Sequence, residues 1–170
     1  LALLAYEVAE ISINSYFVIF LTSEGVATNV EASRLLSLAL FIFMGGRFLG
    51  AWVMKFVHPT KVLFCCAVGS VACMCGVLFG GEISLYALVL NFACEAIMFP
   101  TIFSLSLTGL DAQQKKRASS YMMMTPVGGC AFLLMGIIAD NTSLVLPFFV
   151  PLAGVLIVLA FATYKMRKRD

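Results

Sequence analysis

Six stretches of about twenty apolar residues follow one another in this chain, at roughly 1–22, 33–56, 61–80, 83–108, 117–139 and 144–164. A helix rising 1.5 Å per residue needs about 20 apolar residues to cross the hydrocarbon core. Lipid offers backbone groups no hydrogen-bond partner, so runs of this length read as transmembrane helices. The links are short and polar: Ser23 to Glu31, Val57 to Thr60, a tight turn at Gly80-Gly81-Glu82, Gly109 to Lys116, and Asp140-Asn141-Thr142. They leave no room for a soluble domain. The chain, 62% hydrophobic and 12% charged with mean hydropathy +1.03, lies far from soluble domains, which run near 45–50% apolar and about 25% charged. A net charge of +2 gives no reason to expect nucleic acid.

Basic residues alternate between the links. Lys55 and Lys61 flank the second, Lys115, Lys116 and Arg117 sit in the fourth, and Lys165, Arg167, Lys168 and Arg169 form the tail. The first, third and fifth links contain no Lys or Arg, with only Arg34 near that side. Cytoplasmic loops carry the excess of Lys and Arg, so both ends are expected in the cytoplasm. The clusters also suit anionic lipid. Leu1 begins inside an apolar run, without an initiator Met or a basic leader, and the chain is expected to be a piece of a longer protein.

Ionisable groups inside a span are costly and mark function. The first span carries Glu7, Glu10 and Asn14 on one helical face, and the fourth carries Asn91 and Glu95 four residues apart. Glu10 stands 11 residues before Leu21, about 16 Å along a helix, and Glu95 stands 12 residues after Ile83. Both are expected near the midplane. The two spans run in opposite directions and are the first members of successive groups of three. The fold expected is therefore all-α, with six membrane helices arranged as two inverted three-helix repeats, an architecture common among secondary transporters. Asn and Glu also serve as plain helix–helix glue.

Other features read as packing or articulation. Gly46 and Gly50, and Ala72, Gly76 and Gly80, are small residues four apart that let helices approach. Arg47 has two readings, pairing with a carboxylate or snorkelling to the headgroups. Pro100 and Pro126 each remove a backbone donor within a span, and Gly128-Gly129 weakens the fifth further. Such breaks are either static kinks or joints at which helices rock. Trp52 suits an interfacial anchor. The six cysteines lie in apolar runs without metal spacing and read as buried free thiols. No metal site or cofactor is expected. No Gly-x-Ser-x-Gly occurs, and the one histidine, His58, lies in a link, so no hydrolytic or metal-dependent enzyme is expected. A six-span channel is the rival class; the paired Asn-Pro half-helices of aquaporin-like pores are missing.

With these residues in view, the chain resembles the C-terminal half of the fucose–galactose–glucose:proton symporter family of the major facilitator superfamily. The carrying stretches are Gly46-Arg47-Phe48-Leu49-Gly50, Phe99-Pro100-Thr101-Ile102-Phe103-Ser104-Leu105, and Ala118-Ser119-Ser120 through Gly128-Gly129, with Tyr6-Glu7-Val8-Ala9-Glu10 like the first span of that half. The likeness covers essentially the whole chain in order. It implies a twelve-span parent in a bacterial inner membrane, with the N-terminal six-helix half as missing partner. A monosaccharide would bind between the halves, coupled to a proton or, in some relatives, to sodium. The helices lining that cavity match Glu10, Asn14, Asn91 and Glu95, and Tyr6, Tyr16 and Phe99 are the aromatic groups offered for stacking on the sugar. Two positions depart from the family's pattern: Ala118 replaces a usual Gly, and Glu7 is an additional acid. The family's coupling carboxylates are attributed to the N-terminal half, so the likeness assigns coupling to neither Glu10 nor Glu95.

Overall fold

A computed structural model describes residues 1–23, 25, 27–79 and 82–167. Parts of four sequence readings fall outside them: the acidic first link at Glu24, the tight turn at Gly80-Gly81, Gly80 as the last of the small-residue row with Ala72 and Gly76, and Lys168 and Arg169 of the basic tail. The described residues are helical with short connections and contain no strand. Helices α1 (Ala2–Ser23), α2 (Asn29–Val53), α3 (Pro59–Leu78) and α4 (Glu82–Leu107) are continuous. The fifth span consists of α5 (Ala112–Met122), a 3-10 segment (Thr125–Ala131) and α6 (Phe132–Asn141). The sixth opens with a short 3-10 turn (Leu146–Phe148) and continues as α7 (Phe149–Arg167). Among the described residues, six helical stretches are long and apolar enough to cross a membrane.

Local chemistry sets the boundaries. At the start of α2 the Thr28 hydroxyl accepts from the Glu31 N–H, and Glu31 Oε2 accepts in turn from the Thr28 N–H at 2.9 Å. This capping box begins the helix at Asn29, ahead of the apolar run that started at 33. His58 caps α3 by accepting from the Thr60 N–H through Nδ1 at 3.3 Å, with Pro59 in the first turn. Gly109, at φ +84°, supplies the left-handed turn after α4.

The two internal prolines behave differently. Pro100 sits inside an uninterrupted α4. Pro126 opens a 3-10 segment that also contains Gly128 and Gly129. One missing N–H is tolerated; a missing N–H followed by two poor helix formers is not.

The packing has an internal two-fold plan. Exchanging α1 with α4, α2 with the fifth span, and α3 with α7 maps the principal contacts onto one another. Thus α3 against α4 corresponds to α7 against α1, and α2 against α4 corresponds to the 3-10 segment against α1. The contacts of α1 with α4 and of α3 with α7 map onto themselves.

Glycines make the equivalent approaches. A Cβ on Gly46 would lie 2.8 Å from Ala96 Cβ, and one on Gly50 would lie 2.5 Å from Ile97. Across the pseudo-axis, a Cβ on Gly129 would meet Ile11 at 2.9 Å, and one on Gly154 would meet the Ala5 carbonyl at 2.5 Å. The chain thus folds as two inverted three-helix repeats, with α1 and α4 at the centre. The least covered spans are also an equivalent pair: 11% of α2 and of the fifth span is buried, against 39–56% for the other four.

Side-chain facing departs from the sequence reading at the cysteines. All six are free thiols, but only Cys73 is buried; Cys66 and Cys94 are half-buried, and Cys65, Cys75 and Cys130 are exposed. These spans are apolar on every side, so nothing in the pattern tells which face turns inward.

Candidate functional site

Two apolar clusters fill the bundle, one towards each end. The first gathers Ile13, Phe17, Phe20, Met74, Val77, Leu88, Phe92 and Phe148. The second gathers Leu3, Tyr6, Leu63, Ala67, Met98, Ile102 and Val158. Between them along α1 come Glu7, Glu10 and Ser12; along α3, Ser70; along α4, Glu95 with Asn91 beside it. These polar groups form one layer across the middle of the bundle. Desolvated polar atoms are expensive in such a position, and several of them lie together.

The layer has an open side and a closed side. On the open side, Arg47 of α2 reaches Glu10 of α1, with Nη2 3.8 Å from Oε1 and the two side chains 46% and 14% exposed. The guanidinium also lies over the Phe43 ring at 4.5 Å and near the Phe99 ring at 5.9 Å. Phe99 packs against Tyr6, with ring centroids 6.1 Å apart. Helices α1, α2 and α4 therefore bring Tyr6, Glu10, Arg47 and Phe99 together. Of the two readings of Arg47, the geometry has the carboxylate contact. Asn14 is half-buried, and its Oδ1 has no hydrogen-bond partner among the described residues.

On the closed side the Tyr6 hydroxyl donates to the Glu95 backbone carbonyl at 3.0 Å, tying α1 to α4. Pro100 has no N–H to offer the Ala96 carbonyl, so this tie falls where the α4 ladder is already one bond short. The Ser70 hydroxyl of α3 donates to Asn91 Oδ1 at 2.6 Å. Tyr6, Asn91 and Glu95 are 0–1% exposed. Neither carboxylate oxygen of Glu95 nor the Asn91 amide nitrogen has a hydrogen-bond partner among the described residues.

The seven residues offered by the sequence for the sugar thus divide. Glu10, Asn14 and Phe99 keep some exposure, whereas Tyr6, Asn91 and Glu95 are enclosed in the layer and Tyr16 is buried away from it, in the first apolar cluster against Phe148. Gly46, Gly50, Gly128 and Gly129 lie at helix contacts around this layer, and Pro126 begins the segment packed on α1. Among the described residues there is no cluster of metal-ligating side chains.

Two participants escaped the sequence reading. Phe43 stands four residues before Arg47, on the same helical face, a spacing that could have revealed it. Ser70, a hydroxyl midway along the third apolar run, was a weaker signal of the same kind.

Known proteins share this framework. No protein-family model matches the chain. The L-fucose-proton symporter of Escherichia coli is 34% identical over 144 residues, covering 82% of this chain and 32% of the relative. The glucose/galactose transporter of Brucella abortus is 31% identical over 156 residues, covering 89% of this chain and 38% of the relative. A putative glucose/galactose transporter of Helicobacter pylori is 31% identical over 172 residues, covering 95% and 41%. The crystal structure of a major facilitator superfamily transporter, FucP, in the outward conformation superposes with a TM-score of 0.90 at 30% identity, covering 96% of this chain and 40% of that one. The chain spans 32–41% of the length of these relatives. It is an integral membrane protein of the major facilitator superfamily and corresponds to one six-helix half of that fold.

Proposed function

We propose that this chain is the C-terminal half of a cation-coupled monosaccharide symporter that carries a fucose-, galactose- or glucose-type hexose by alternating access. The observation that carries the reading is the open side of the mid-bundle polar layer, where Glu10, Arg47 and Phe99 converge from three helices. A carboxylate accepts from two neighbouring sugar hydroxyls, and a guanidinium donates to a third oxygen. The Phe99 ring offers a flat apolar face to the sugar's C–H groups. Arg47 already neutralises Glu10, which favours a neutral polyol over an acidic sugar. Asn14, one turn further along α1, extends this set. Tyr6, Asn91 and Glu95 lie behind it, enclosed and outside the sugar's reach.

The glycine contacts at Gly46, Gly50, Gly128 and Gly129, and the weak points at Pro100 and Pro126, are where helices slide or bend as the cavity changes sides. The N-terminal six-helix half of the same protein forms the opposite wall. Both ends of this segment lie in the cytoplasm, in a bacterial inner membrane, with the basic links against anionic lipid. The proton is the coupling ion favoured by the fucose relative, with sodium as the alternative.

The test is labelled-hexose uptake by the full-length protein in vesicles. Glu10→Gln should cut uptake at least tenfold; unchanged uptake would remove Glu10 from the sugar site. Counterflow of labelled sugar separates this carrier from the rival six-span channel or uncoupled facilitator: exchange accelerated by unlabelled sugar inside supports the carrier, and its absence supports the pore.

A further inference from the structure

The two acids that the internal two-fold relates stand in unlike surroundings. Glu10 has a guanidinium at 3.8 Å and an opening to the outside of the bundle. Glu95 is 1% exposed, and both its oxygens lack a hydrogen-bond partner among the described residues. The ionisable groups around Glu95 are Tyr6 and Glu10 of α1, Cys73 of α3 and Cys94 on its own helix. The cation of α2, Arg47, is engaged by Glu10. Nothing in that set offers Glu95 a counter-charge. A bare carboxylate enclosed in this way would be among the most expensive groups a protein can hold. A carboxylate that has taken up a monovalent cation would not.

We infer that Glu95 is the binding site of a coupling proton, separate from the sugar site at Glu10. This rests on the symport reading above and assigns the ion to a residue within it. The step is a simple transfer. One Glu95 oxygen takes a proton from a hydronium ion admitted when α1 and α4 part, an O–H bond forming as the hydronium O–H bond breaks and leaves water, and the other oxygen is left to accept from the Asn91 amide N–H. The O–H bond breaks when the cavity opens to the opposite side, and the proton leaves to water there. Asn91 is held for this by Ser70, which occupies its Oδ1 at 2.6 Å and leaves the amide nitrogen free. Sodium fits less well. It needs a shell of several oxygens, which transporters supply from unwound helix carbonyls. Here α4 stays helical through Glu95, Asn91 Oδ1 is taken by Ser70, and the Tyr6 hydroxyl is spent on the Glu95 carbonyl.

The experiment uses the full-length protein in proteoliposomes, with labelled hexose and a pH-sensitive dye. The wild type should accumulate sugar under an inward proton gradient and take up protons when sugar is added. A wild type that equilibrates sugar but accumulates it under neither a proton nor a sodium gradient would fail the symport reading itself. In Glu95→Gln, sugar-induced proton uptake should vanish and accumulation should fall to equilibration, while counterflow persists. Retained accumulation and proton uptake would overturn the proposal, as would loss of counterflow, which would make Glu95 a sugar ligand. Accumulation driven by a sodium gradient without proton uptake would overturn it in favour of sodium.

A second measurement needs no variant. Dicyclohexylcarbodiimide, an apolar reagent that adds to protonated carboxyls, should modify Glu95 of the wild-type protein at neutral pH, as read by peptide mass spectrometry. Modification of Glu10 with Glu95 untouched would contradict the assignment.

Discussion

The three helices α1–α3 and the three spans that follow are built to one plan but do different work. In both, a central helix carries an acid and an amide at mid-bundle, a second span crosses the other repeat's central helix on glycines, and a third packs alongside. The second spans differ in continuity: α2 runs unbroken for 25 residues, whereas its counterpart is interrupted at Thr125–Ala131. The acids differ in company: Glu10 has an arginine and an opening, and Glu95 has neither. Backbone packing keeps the repeats alike because both central helices need neighbours close enough to exclude lipid. The polar layer has no such requirement, so identical positions can take separate tasks. Architecture here is duplicated and chemistry is divided.

Substitutions can break the comparison, beginning with the closest packing. Gly154→Val places its Cβ against the Ala5 carbonyl, a backbone atom that cannot turn aside. It should destabilise the protein by about 3 kcal/mol, the upper range for overpacking, and lower the melting midpoint in detergent. Gly76→Ala, at the equivalent α3–α4 contact, meets only Ala87 Cβ at 3.2 Å and should cost less than about 1 kcal/mol. Equal losses would mean that the two interfaces are not packed as described.

Arg47→Ala comes next. It removes the partner of Glu10 and should raise the half-saturating sugar concentration about tenfold, the weight of one charged hydrogen bond of roughly 1.5 kcal/mol. Melting should change little, because a pair 3.8 Å apart whose cation is 46% exposed contributes about 0–1 kcal/mol. A large fall in stability with unchanged sugar affinity would make the pair a structural brace.

Pro126→Ala should have a smaller effect. It restores one backbone donor to the fifth span, but Gly128 and Gly129 remain. A slight rise in melting midpoint with slower transport turnover is expected; faster turnover would deny the segment a role as a joint.

The plan of the bundle was legible in the sequence because run length and the opposed acid–amide pairs are chain-local signals. Six spans, two inverted groups of three and the softness around Pro126 could each be read from residues close together. What could not be read was facing. A span apolar on all sides has no polar face to mark its exterior, so Cys65, Cys75 and Cys130 were placed inside when they lie outside. The same blindness grouped Tyr6, Asn91 and Glu95 with Glu10, although three-dimensional packing encloses the first three and leaves the fourth ajar. The Arg47–Glu10 contact joins residues 37 positions apart on different helices, a pairing that periodicity within one helix cannot show.

The division between the two acids is open to a direct measurement. In a full-length protein whose native cysteines have been replaced, Glu10→Cys and Glu95→Cys can each be exposed to a membrane-impermeant thiol reagent without sugar, and the labelled fractions compared. Rapid labelling at position 10 with protection at position 95 is the predicted result. Equal labelling, or faster labelling at 95, would contradict it.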